Sequence, residues 1–99
     1  MTGYRFLPPA EEEMTEAAQF YEDAANGLGN EFLDDVQRVI DRLCDHPELG
    51  EIVSGNLRHS LLSRFPFILI YSIEPEGILI VAVAHQRRKP GYWETRVTP

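Results

Sequence analysis

Apolar residues recur along this chain first at helical and then at strand spacing, and the change falls near residue 47. Ala10, Met14, Ala17, Ala18, Tyr21, Ala24 and Ala25 make one stripe at the helical period,. A helix is therefore predicted directly after Pro8 and Pro9, which close a short strand over Tyr4 to Leu7 and suit a first helical turn,. Asn26 to Gly29 break the stripe, and Asn30 is placed to cap a second helix,. Phe32, Val36, Val39, Ile40 and Leu43 carry that helix inward, and Asp45-His46-Pro47 end it,. So short a connection makes the two helices an antiparallel hairpin.

The segment from Pro47 to Asn56, PELGEIVSGN, has turn residues and no sustained period, which predicts a loop,. Three strands follow, over Leu57 to Leu62, Phe67 to Ile73 and Ile78 to Ala84, with Glu74-Pro75-Glu76-Gly77 turning between the last two,. The order β-αα-βββ predicts an α+β fold, a helical hairpin on one face of a largely antiparallel sheet, with residues 1–99 as one domain. On the middle strand Phe67, Leu69, Tyr71 and Ile73 oppose Ile68 and Ile70,. On the last, Ile78, Ile80, Ala82 and Ala84 oppose Leu79, Val81 and Val83. Both faces are apolar, yet two helices can cover only one. The second face is expected to be covered by another chain, or by the 47–56 loop and the C-terminal residues.

Composition changes little in this picture. With 43% apolar and 25% charged residues the chain fits an ordinary globular class,. No run approaches the roughly 20 apolar residues of a membrane helix, and MTGYRFLPPAEEE lacks signal-peptide features, so a cytoplasmic location is expected,. A single cysteine, Cys44, excludes an internal disulfide and, lacking a second cysteine or a close histidine pair, offers no metal site,. No cofactor is expected. Charge is more informative. The net value of −7 argues against broad nucleic-acid binding,. Yet residues 1–51 hold 13 Asp/Glu against three arginines, while residues 52–99 hold six Lys/Arg against three glutamates. The molecule is electrically polar, acidic first and modestly basic later.

The basic residues gather after the last strand, where His85, Arg87, Arg88, Lys89, Tyr92, Trp93 and Arg96 leave a rigid sheet,. Arg58 and Arg64 flank the first of the three strands and would join them if they share a sheet end. Such a cluster suits phosphate, nucleic acid or an acidic protein surface. Phosphodiester cleavage would need a base, an acid and cations, roles open to His85, Tyr92, Arg64 and Arg88,. Structural roles are equally open. His85 could bond a carbonyl, Arg58 and Arg64 could pair with the acidic helices, and Arg88 and Arg96 with Glu94 or the helices,. Tyr92 and Trp93 could dock the tail on the sheet,. His46 suits a helix C-terminus and His59 an exposed strand position,.

The runs Asn56-Leu57-Arg58-His59, Arg64-Phe65-Pro66-Phe67-Ile68-Leu69-Ile70-Tyr71 and Val81 through Trp93, with Arg96, resemble the RelE/ParE superfamily of bacterial type II toxins, particularly its ParE-like plasmid-stabilisation branch. Phe20-Tyr21-Glu22, Gly27-Leu28-Gly29 with Phe32, and His46-Pro47 extend the resemblance over essentially the whole chain. It implies a toxin neutralised by a cognate antitoxin that wraps around it. RelE-like members cleave messenger RNA on the ribosome, as mRNA interferases, and ParE-like members inhibit DNA gyrase. In the nuclease branch sheet cations and a C-terminal tyrosine act, places that Arg64, Arg87 or Arg88, and Tyr92 roughly match. Leu61, Leu62 and Ser63 stand where further cations would be expected, which favours the gyrase branch. The target-binding residues implied there are Arg58, Arg87, Arg88, Tyr92, Trp93 and Arg96. A partner-binding module without toxicity is the remaining alternative.

Overall fold

The computed structural model describes residues 3–97, so the first and last two residues of the expected 1–99 domain lie outside the described residues. Strand β1 (Gly3–Phe6) leads into helices α1 (Pro8–Ala24) and α2 (Leu28–Asp45). A 3-10 turn at Pro47–Leu49 precedes β2 (Glu51–Ser54), β3 (Leu57–Leu61), β4 (Phe67–Glu74) and β5 (Gly77–His85). The sheet order is β1-β5-β4-β3-β2, with β1 parallel to β5 and every other pairing antiparallel. The architecture is the α+β fold that the residue pattern predicts. A strand was missed, however. Part of the expected 47–56 loop is β2, which pairs Glu51 with His59 and Ile52 with Arg58. All four β2 residues are exposed, so no core-facing alternation marks them as a strand,.

The second helix also starts earlier than Asn30. Gly27 takes φ +86°, open to glycine without a Cβ penalty, and precedes the first helical residue, Leu28,. Its amide and that of Gly29 donate to the Glu22 carboxylate at 3.0 and 3.1 Å. A side chain of α1 thus caps α2, where a negative group is favoured by the helix dipole. A Cβ on Gly29 would lie 2.5 Å from the Ala18 carbonyl oxygen, so the helices meet backbone to backbone there.

Phe32, Val36, Val39, Ile40 and Leu43 of α2 pack with Phe65, Leu69, Tyr71, Ile80 and Val83 in the main core. Each such side chain, fully buried, contributes about 1.5–3 kcal/mol. The strand alternation holds on β4 but slips on β5. Ile70 pairs with Ala82 and Tyr71 with Ile80, leaving Val81 as the extra residue of a β-bulge,. Beyond it the faces exchange. Val83 points to the helices with Ile78 and Ile80, whereas Ala82 and Ala84 join Leu79 and Val81 on the second face. That face packs Leu57, Ile70, Leu79 and Val81 with Trp93, so the tail covers the part of it on β4 and β5. Towards β2 and β3 it stays open, with Leu61 56% and Val53 41% exposed. Among the described residues no helix is long and apolar enough to cross a membrane.

Candidate functional site

Helix α1 leaves β1 at Leu7, whose amide makes the last bond of that strand to the Ile80 carbonyl, 2.9 Å away. Past this point the outer edge of β5 has no neighbouring strand, and side chains take its place. The Val83 amide donates to Glu13 Oε1 at 3.0 Å, and Arg96 donates to the Val81 carbonyl at 3.0 Å. Glu13 and Arg96 also bind each other through two bonds of 2.9 and 3.0 Å. Tyr92 donates to Glu13 Oε2 at 2.5 Å and Arg88 at 3.3 Å. The Arg88 guanidinium lies 3.6 Å from the Tyr92 ring centroid, and that of Arg96 5.1 Å,. One carboxylate of α1 therefore draws together three of the residues nominated from sequence.

The electrostatics follow from this geometry. Burial alone would raise the Glu13 pKa, but the bonds from Arg96, Tyr92 and the Val83 amide, with the Arg96 charge, outweigh it, and the net shift is downward,. Tyr92 moves upward, through burial first and then through its bond to Glu13 and that anion's charge, against the opposing pull of Arg88 and Arg96. Its hydroxyl is a proton donor fixed on a carboxylate, not a base. Arg96 is raised as well, chiefly by its bond to Glu13.

The other nominated residues lie outside this cluster. Arg58 donates to the Gly50 carbonyl at 2.8 Å and to that of Glu48 at 3.3 Å, tying the 3-10 turn to β3. Arg64 pairs with Glu31 of α2 at 2.7 Å, and its amide donates to the fully buried Asp35 at 2.8 Å. Sharing a sheet end with β4 and β5 does not bring Arg64 to the tail, because the acid nearest to it is on α2. His85 accepts the Arg87 amide on Nδ1 at 3.0 Å. Arg87 and Lys89 are exposed on the loop that follows. Trp93 is only 6% exposed, against the second face of the sheet.

Sequence reasoning missed Glu13, which is not among the residues nominated above. A signal existed. Glu13 lies three residues after Ala10 and four before Ala17, the two buried positions of α1, so it shares their stripe while Glu11 and Glu12 face solvent,. A carboxylate on a buried stripe requires partners, and the chain's later arginines were the available ones.

Two helices over one face of a five-stranded mixed sheet, with an arginine and tyrosine tail folded onto the last strand, define a small protein of the α+β class. The family model for the ParE toxin of the type II toxin-antitoxin system, parDE, matches residues 4–90, and the chain belongs to that family. A solved structure titled chromosomal ParDE TA system from P. aeruginosa has the same fold, with TM-score 0.62 at 15% identity, over 86% of this chain and 96% of that one. No curated protein matches the chain in sequence.

Proposed function

We propose that this ParE-family protein is a growth-inhibiting toxin that binds DNA gyrase rather than cleaving RNA, and that a cognate antitoxin neutralises it. The observation that carries the choice is the Glu13 clamp. A nuclease needs a proton acceptor beside unoccupied cations. In the tail the phenol of Tyr92 and the guanidinium of Arg96 are both held by one carboxylate. Of the two cations open to phosphate, Arg64 is paired with Glu31 on α2 and Arg88 with Glu13. Among the cations that follow the last strand, Arg87 and Lys89 with the half-exposed Arg88 face solvent and form a rim that suits an acidic or nucleic-acid-proximal surface,. A cytoplasmic location goes with this reading.

Gyrase supercoiling assays test it directly. Supercoiling is expected to stall in the presence of the purified protein while translating ribosomes keep their messages intact. Undisturbed supercoiling at saturating protein would refute the gyrase assignment. Discrete cuts within ribosome-bound messages that vanish in Arg88→Ala would instead establish the nuclease.

A further inference from the structure

The alternation that turns Phe67, Leu69 and Tyr71 of β4 towards the helices carries on to Ile73, which sits opposite Ile78 of the main core,. Helix α2 ends at Asp45, however, and Ile73 is left 40% exposed. Between them opens a groove of about 720 Å³ lined by Asp45, His46, Pro47, Glu48, Leu49 and Ile73. Leu49 is 54% exposed. Apolar side chains that gather in one concavity, unlike scattered ones, mark a contact surface.

The electrostatics of the groove are one-sided. Two carboxylates, Asp45 and Glu48, belong to its lining, and no lysine or arginine does. Neither carboxylate is in an ion pair among the described residues. The end of α2 adds to them, because the C-terminus of a helix is the negative end of its dipole. Pro47, lacking an N–H, cannot satisfy the Leu43 carbonyl four residues before it,. Of the arginines in the adjoining turns, Arg58 donates to the Glu48 and Gly50 carbonyls, and Arg42 stays outside the lining.

We propose that this groove docks a basic amphipathic helix of a partner protein. Aliphatic residues at i and i+4 of that helix sit against Leu49 and Ile73, and its flanking lysines or arginines meet Asp45, Glu48 and the end of α2. A helix is the form that fits, because β4 is an interior strand with neighbours on both sides and offers no free ladder edge to an extended segment,. A second copy does not supply one. Helix α1 carries acids and no lysine or arginine, and α2 carries five acids against Arg38 and Arg42. Anionic lipid and nucleic acid are repelled by the same carboxylates. This contact is independent of the cellular target that the protein inhibits.

The probe is a blocked, alanine-rich helical peptide of about 16 residues, with leucines at i and i+4 and lysines beside them on the same face. One control replaces the lysines by glutamates, and another moves the leucines to opposite faces. Titrated into isotope-labelled protein, the lysine peptide should saturably shift the amide resonances of Asp45, His46, Glu48, Leu49 and Ile73. Both controls should bind at least about ten-fold more weakly. Leu49→Lys should weaken the lysine peptide by about ten-fold or more, the worth of one buried aliphatic side chain, at unchanged melting temperature. If that variant does not fold, Glu48→Lys should give the same loss by reversing a lining charge. Equal binding of the lysine peptide and either control, or binding indifferent to both substitutions, would overturn the proposal. So would shifts centred on Glu11, Glu12 and Glu16 of α1, which would mean attraction to the acidic hairpin at large.

Discussion

Glu13 carries more of the tail's placement than any residue within the tail, because it is the shared acceptor for Arg88, Tyr92 and Arg96 and for a sheet amide. Truncating it to alanine leaves a partly buried guanidinium, a phenol and the Val83 amide without that acceptor. Glu13→Ala is expected to cost about 2–4 kcal/mol in denaturant unfolding, since breaking a buried charge cluster costs more than the net worth of its bonds. The pH dependence has a definite sign. The folded pKa of Glu13 lies below the ordinary 4.5, so the clamp contributes fully above that pH and its contribution is lost as pH falls through the lower folded value,. The stability gap between the protein and Glu13→Gln should therefore be widest near neutrality and shrink in acid, measured as denaturation midpoints from pH 7 downward. A gap that widens in acid would contradict the assignment. Tyr71 plays a similar role inside the core. It accepts the Gly50 amide at 2.9 Å and donates to the Pro47 carbonyl at 2.7 Å. Tyr71→Phe orphans both backbone groups and is expected to cost about 1–3 kcal/mol in the same measurement.

Among the elements, α2 depends on α1 at its first turn as well as along its apolar stripe. Glu22→Ala removes the acceptor of the Gly27 and Gly29 amides and should destabilise the protein by about 1 kcal/mol, the usual worth of a cap,. Gly29→Ala sets a methyl against the Ala18 carbonyl and should cost about 1–3 kcal/mol, as overpacking does,. Thermal unfolding by circular dichroism would rank the two. The long elements were legible because burial imprints its period on them, as in Phe32, Val36, Val39, Ile40 and Leu43,. What escaped lacked such an imprint or depended on distant partners. Strand β2 buries nothing and so has no pattern. The β5 bulge is a pairing event between Val81 and a β4 that looks regular in sequence. The cap of α2 comes from Glu22 of the preceding helix rather than from the residues at its own start. The site divides likewise. The gathering of Arg88, Tyr92 and Arg96 could be read from their spacing after the last strand, whereas the acid that holds them lies some 80 residues earlier in the chain.

Across the whole molecule, charge segregation matters more than net charge for association. An acidic helical hairpin and a net charge of −7 repel nucleic acid and acidic proteins at long range, so an approach by such a target must be led by the small basic rim,. That rim is Arg87, Arg88 and Lys89, with Arg88 partly neutralised by Glu13. Arg87 and Lys89 have exposed side chains, and neither holds the tail in place. Reversing both, as Arg87→Glu with Lys89→Glu, should leave the melting temperature unchanged and weaken the proposed gyrase inhibition by at least about ten-fold, on the order of 1.4 kcal/mol of binding. The weakening should appear mainly in the association rate, and raising salt from low to physiological strength should diminish the difference between protein and variant, because exposed charges beyond about 8–10 Å are then screened. Arg96→Ala provides the contrast. Its guanidinium is largely buried against Glu13 and Val81, so its removal should lower the melting temperature and alter inhibition with little salt dependence. Equal salt dependence in the two variants would mean that the tail, and not the exposed rim, meets the target.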